Sequence, residues 1–226
     1  MEAGSEIAGV AGAAPRMVKV WDPFVRIAHW TIVAGFFIAY LTEDDPLWLH
    51  VWAGYVVGVA AVLRIAWGLV GPRHARFTDF VFGPGKVLGY LGDLALFRGR
   101  RYLGHSPAGG AMVLALLAGL LAVVYSGLEL YAIEEGAGPL AMSSAVEVAQ
   151  ASDPQQGGEE NKDSEAKPAG EELWETLHEG LANFVLFLVV LHVVGVVLAS
   201  IVHRENLVRS MVTGLKRADG GRDPDA

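Results

Sequence analysis

The chain has 226 residues, no cysteine and a formal net charge of −8. Without cysteine there is no disulfide, no thiolate-held iron–sulfur cluster, no tetrathiolate zinc site and no C-x-x-C-H attachment of haem. Hydrophobic residues make up 53% of the chain and gather in four stretches, each long enough for the roughly 20 helical residues that cross a bilayer, which predicts one membrane domain rather than soluble ones.

Residues 1–17 are small and polar and lack the apolar core of a signal peptide, so they are expected to form a disordered tail, with Met17 as an alternative start. Asp22-Pro23 is a cap followed by a proline at the first helical position, which predicts a first span over about 23–42, ended in water by Glu43, Asp44 and Asp45. The second span is expected over 47–70, from Leu47-Trp48-Leu49-His50 to the stop at Gly71-Pro72. In the connector from Arg73 to His105, Val87, Leu88, Leu91, Leu94 and Ala95 recur at helical spacing and predict a short interfacial helix around Pro84 to Phe97. Ser106-Pro107 repeats the cap-then-proline signal and opens a third span over about 107–131. Residues 134–170, rich in Ala, Gly, Ser, Glu and Gln, read as a flexible acidic loop. A fourth span is expected over about 172–202, then a short amphipathic piece from Arg204 to Leu215 and a disordered tail over 218–226. The predicted fold is an all-α integral membrane protein, an up-down bundle of four transmembrane helices within residues 18–217.

Lys and Arg set the expected orientation. The second connector carries Arg73, Arg76, Lys86, Arg98, Arg100 and Arg101, and the C-terminal segment carries Arg204, Arg209, Lys216, Arg217 and Arg222. The loop after span one has neither residue type, and the loop over 134–170 has only Lys162 and Lys167 against eight acids. Both termini are therefore expected in the cytoplasm of the cell that carries the chain in its inner membrane, with the two acidic loops outside.

Histidines inside spans are costly and usually functional, and neutral imidazole is an axial ligand of haem iron. His178 and His192 in span four are fourteen residues apart, about 21 Å along a helix axis and within about 40° of one stripe. With the orientation above, His29 and His192 fall near the cytoplasmic face, and His50 and His178 near the outer face. The levels match two by two, as two stacked bis-histidine haems require. The competing reading is four unrelated histidines, but His192 lies deep in Leu188-Val189-Val190-Leu191-His192-Val193-Val194. A proton relay would want acids in mid-membrane; spans one, two and four have none, and Glu129 stands at the outer end of span three. Gly54 and Gly58 beyond His50, and Gly195 beyond His192, offer clearance for a flat macrocycle or ordinary helix packing.

Arg64, fourteen residues after His50, reaches the depth of the inner haem and either pairs with a propionate or snorkels to the surface. Arg26 has the same two readings, with snorkelling preferred. His203 shares the stripe of His192 but lies about 37 Å from His178 along the axis, which favours a surface or quinone-site role among Arg204, Glu205 and Asn206. His74 reads as a solvated loop residue. His105, beside Ser106, stands where the chain re-enters the membrane near the inner haem and is placed to hydrogen-bond a quinone headgroup.

Taken together, Val20-Trp21-Asp22-Pro23, Arg26 and His29-Trp30 resemble the N-terminal signature of bacterial cytochrome b561 proteins, of one superfamily with the b-type cytochrome subunits of nickel-iron hydrogenase and formate dehydrogenase. Arg64, Trp67-Gly68, Gly71-Pro72-Arg73, Gly104 to Gly110, His178 with His192, and His203-Arg204-Glu205-Asn206-Leu207 extend the resemblance over about Val18 to Arg217. The resemblance implies a four-helix membrane bundle with two non-covalent b haems, ligated on helices one, two and four by His29, His50, His178 and His192. It also implies a quinone site near the inner haem. Ser106 departs from the asparagine that many relatives carry, and 134–170 looks like an insertion.

The expected function is electron transport between the quinone pool and a redox partner, a periplasmic c-type cytochrome, for which the acidic loop is either a steering surface or simply solvated chain. The alternative is a haem b membrane anchor subunit of a larger oxidoreductase such as a hydrogenase. A third reading is a haem-free transporter. The chain has no nucleotide-binding loop and no soluble domain for substrate chemistry of its own.

Overall fold

The apolar runs and their caps become four helices long and apolar enough to cross a membrane: α1 (Pro23–Leu41), α2 (Leu47–Val70), α4 (Pro107–Glu135) and α5 (Glu171–His203). A computed structural model describes residues 16–43, 45–141 and 170–218. Most of the expected N-terminal tail (1–15), most of the acidic loop (142–169) and the C-terminal tail from 219 lie outside the described residues. Around the four helices stand β1 (Met17–Lys19), a 3-10 turn (Phe77–Asp79), α3 (Pro84–Ala95), α6 (Leu207–Thr213) and β2 (Leu215–Arg217).

The cap signals act as expected. Asp22 Oδ1 accepts from the backbone N–H groups of Phe24 and Val25 at 2.9 and 3.1 Å, and Ser106 Oγ accepts from Gly109 N–H at 3.2 Å, satisfying donors that a helix start leaves orphaned. α4 runs to Glu135, past the expected end near 131, because its apolar register continues to Gly136, whose left-handed φ of 59° closes it.

Glycine sets the helix spacing. A Cβ built at Gly35 would lie 2.7 Å from Val57, one at Gly58 2.9 Å from Val124, and one at Gly119 2.9 Å from Val185. Thus α1 meets α2, α2 meets α4, and α4 meets α5 through a small residue, the close approach that apolar helices use where lipid removes the hydrophobic driving force. Gly58 is accordingly a packing residue rather than clearance for a macrocycle. Phe36, Val57, Leu120 and Val185 form the buried core of the bundle. Large apolar side chains outside it, Leu41, Trp48, Leu69 and Phe187 among them, are exposed, as lipid-facing surfaces are. Gly119→Val is expected to cost about 1–3 kcal/mol by overpacking, read as a lower midpoint of thermal unfolding in detergent; an unchanged midpoint would show that the α4–α5 seam can open freely.

Two three-residue strands were not foreseen. β1 and β2 pair antiparallel, with Met17 opposite Arg217 and Lys19 opposite Leu215, so Met17 belongs to the folded domain rather than to a tail. Segments this short have no period that a sequence can display. The pairing brings the residues before α1 and after α6 to one end of the bundle, where the second connector joins them. Arg101 donates to Glu205 through Nε at 3.2 Å and Nη2 at 3.0 Å, and Lys216 Nζ donates to the carbonyls of Tyr102 and Leu103 at 3.1 and 3.0 Å.

Candidate functional site

The histidines of α1, α2 and α5 meet in twos. His29 faces His192 with ring centroids 6.5 Å apart, and His50 faces His178 at 5.9 Å. Two imidazoles on opposite sides of one metal, each bonded at about 2 Å, hold their centroids about 6 Å apart. Among the described residues no three of His, Cys, Asp or Glu gather into a metal site. A pair of opposed nitrogens suits a metal that brings its remaining ligands with it, as haem iron does.

The second ring nitrogens support that fit. His50 Nδ1 lies 2.9 Å from the carbonyl of Ala39 at the end of α1, which also accepts from the N–H of Thr42. His178 Nδ1 lies 3.1 Å from the carbonyl of Val123 and 3.1 Å from Ser126 Oγ. A carbonyl only accepts, so both Nδ1 atoms carry the proton and each Nε2 keeps its lone pair for a metal. In the other pair, His29 Nδ1 is buried with no hydrogen-bond partner.

The two pairs are kept apart by the core. Phe36 is seven residues after His29, Val57 seven after His50, and Val185 seven from both His178 and His192. Seven residues rise about 10 Å, so these side chains form an apolar layer midway between the pairs. Gly54 and Gly195 would meet nothing within 4 Å if given a Cβ, so open space borders both pairs.

The other expected site residues divide. Arg64 is buried; its Nη1 donates to the carbonyl of Ala75 at 3.3 Å and its guanidinium lies 5.6 Å from the Phe77 ring centroid. It is neither free nor snorkelled, and it ties the connector to α2. Arg26 donates to the carbonyl of Val212 at the end of α6, so it clamps the C-terminal segment instead of reaching for water. His105 packs between Phe80 at 4.2 Å and Trp21 at 4.7 Å. Burial, aided by the positive charges of Arg64 and Lys216, pushes its imidazole down to about 3, so it is neutral at pH 7. Asn206 caps α6, its Oδ1 accepting from Arg209 N–H at 2.7 Å.

Several contributors had no sequence signal of their own. The Tyr90 hydroxyl on α3 lies 3.3 Å from His203 Nε2, and burial holds its pKa above the ordinary phenol value, partly offset by the neighbouring Ser106 hydroxyl. Tyr90 thereby joins two expected site residues that lie far apart in the chain. Ser126 and Gly127 seat the His178 ring from α4, a Cβ at Gly127 falling 2.8 Å from Cε1 of that imidazole. A helix without histidine gave no reason to look there; the one signal was a serine beside a glycine within an apolar run.

Residues 20–214 match the family model described as prokaryotic cytochrome b561. A "Probable Ni/Fe-hydrogenase B-type cytochrome subunit" of Rhodobacter capsulatus is 29% identical over 150 residues, covering 54% of this chain and 56% of the relative. The chain thus matches little more than half the length of that relative. No solved structure matches it. With its four apolar helices and the family match over nearly all of the described residues, the chain is a multi-pass membrane cytochrome of b type and belongs to the prokaryotic cytochrome b561 family.

Proposed function

We propose that the chain holds two b haems, one between His29 and His192 and one between His50 and His178, and carries electrons across the bilayer between quinone and a redox partner. The observation that carries this reading is the opposition of the imidazoles in two pairs, 6.5 and 5.9 Å apart by centroid. Haem supplies reversible one-electron chemistry when bound. The protein's part is to fix the imidazole tautomers, to exclude water with the layer of Phe36, Val57, Leu120 and Val185, and to span the membrane.

The bundle is read as up-down, with both termini cytoplasmic in the inner membrane. Supporting this, the Arg101–Glu205 pair and the β1–β2 pairing bring the basic connector and the basic C-terminal segment to one end. A quinone site is read at that same end, around Tyr90, His203, Ser106 and His105, with Asn206 shaping the turn beneath it. The acidic loop after α4 is read as facing a partner on the other side, a c-type cytochrome or a larger oxidoreductase. The hydrogenase cytochrome of Rhodobacter capsulatus favours the second kind of partner; stable co-purification with another subunit would select it.

Anaerobic mixing of the purified protein with a quinol is expected to reduce the b-haem absorption band, and Tyr90→Phe or His203→Gln is expected to slow that reduction about tenfold or more. Haem that no quinol reduces would overturn the quinone reading.

A further inference from the structure

We infer that Ser126 is a positioning residue for His178 and, through it, sets the haem between His50 and His178 apart from the other haem. The inference rests on the ligand reading above and goes beyond it to a residue on α4, the helix that supplies no ligand.

Ser126 is 1% exposed. Its Oγ donates to the carbonyl of Val123 at 3.0 Å and lies 3.1 Å from His178 Nδ1, which also reaches that carbonyl at 3.1 Å. Since the hydroxyl hydrogen goes to the carbonyl, the oxygen's lone pair faces the ring nitrogen. The Nδ1–H is shared between two acceptors, which fixes the tautomer and the ring plane. Gly127 completes the seat, since any side chain there would displace the imidazole.

Acceptors on Nδ1–H raise the basicity of the metal-bound nitrogen. A more basic ligand favours the ferric over the ferrous state and lowers the reduction potential. His50 adds the same effect from the opposite side through Ala39. The other pair is built differently: His29 Nδ1 is buried with no hydrogen-bond partner. Ligand basicity is therefore greater in the His50–His178 pair, and the haem it would hold is the lower-potential member.

The test is a redox titration of the purified full-length protein, with haem counted by pyridine haemochrome and the ferric state followed by electron paramagnetic resonance. Ser126→Ala is expected to keep two haems per chain, to raise the lower potential alone, to shift the low-spin signal of that haem alone, and to speed its loss to a soluble haem acceptor roughly tenfold. Ser126→Thr, which keeps the hydroxyl, is expected to restore the wild-type potential and signal. Two haems with both potentials and both signals unmoved in Ser126→Ala would overturn the inference while leaving the ligand reading intact, and so would movement of the higher-potential haem alone. Fewer than two haems in the wild-type protein would overturn the ligand reading itself, and the inference with it.

Discussion

His192→Ala is expected to lower the haem content from two per chain to one and to abolish electron transfer from quinol to an acceptor across a sealed vesicle. His192 sits in an apolar run of α5 with His29 as its opposing ring at 6.5 Å. Without it His29 would be the one imidazole left to that haem and would not hold it. His178, fourteen residues away on the far side of Val185, keeps its partner His50 and the carbonyl of Val123. The surviving haem therefore retains its low-spin spectrum. His178→Ala gives the converse, one haem left between His29 and His192. Loss of both haems from either single variant would mean that the two sites do not assemble independently.

Arg101→Ala is expected to lower stability by about 2–4 kcal/mol, somewhat less than a fully buried pair because the arginine side chain is 21% exposed. It leaves the Glu205 carboxylate, 7% exposed, with only the N–H of Arg217 as its hydrogen-bond donor among the contacts described. Burial alone would push the pKa of Glu205 up, but hydrogen bonds from Arg101 and Arg217 and the charge of Lys216 hold it below its ordinary value. A depressed folded pKa contributes stability that is complete above the unfolded carboxylate pKa, about 4, and disappears as pH falls through the folded value. The wild-type protein should lose stability on acidification through that window, and Glu205→Gln should be flat across it. Lys216 acts in the alkaline range: burial pulls its amine down to about 8, so the folded protein releases that proton first. Stability gains a small increment between about pH 8 and the ordinary lysine value near 10. Denaturation midpoints measured from pH 3 to pH 10 follow both groups.

Much of this architecture was legible because the bilayer imposes it. Four apolar runs, caps at Asp22 and Ser106, and a stop at Gly71 leave few alternatives once every buried backbone group must be paired within a helix. Which histidine rings come near each other was legible for a related reason, since depth along a helix is a linear function of residue number. Contacts made across the chain were hidden. That Arg64 Nη1 meets the carbonyl of Ala75 depends on how the connector folds back, and no local pattern reports that. Arg26 likewise points at α6, which begins 181 residues later in the chain. Ser126 and Gly127 act only through a ring on another helix, and Tyr90 only by meeting His203 and Ser106. Glycines were half legible: Gly54 and Gly195 face open space, whereas Gly58 is filled by Val124.

The pairing of imidazoles is the central claim, and haem content in double variants tests it most directly. His29→Ala with His192→Ala removes one pair, so one haem per chain should remain; His50→Ala with His178→Ala should give the same count. His29→Ala with His178→Ala breaks both pairs and should leave none. Equal haem content in same-pair and cross-pair variants would contradict the account.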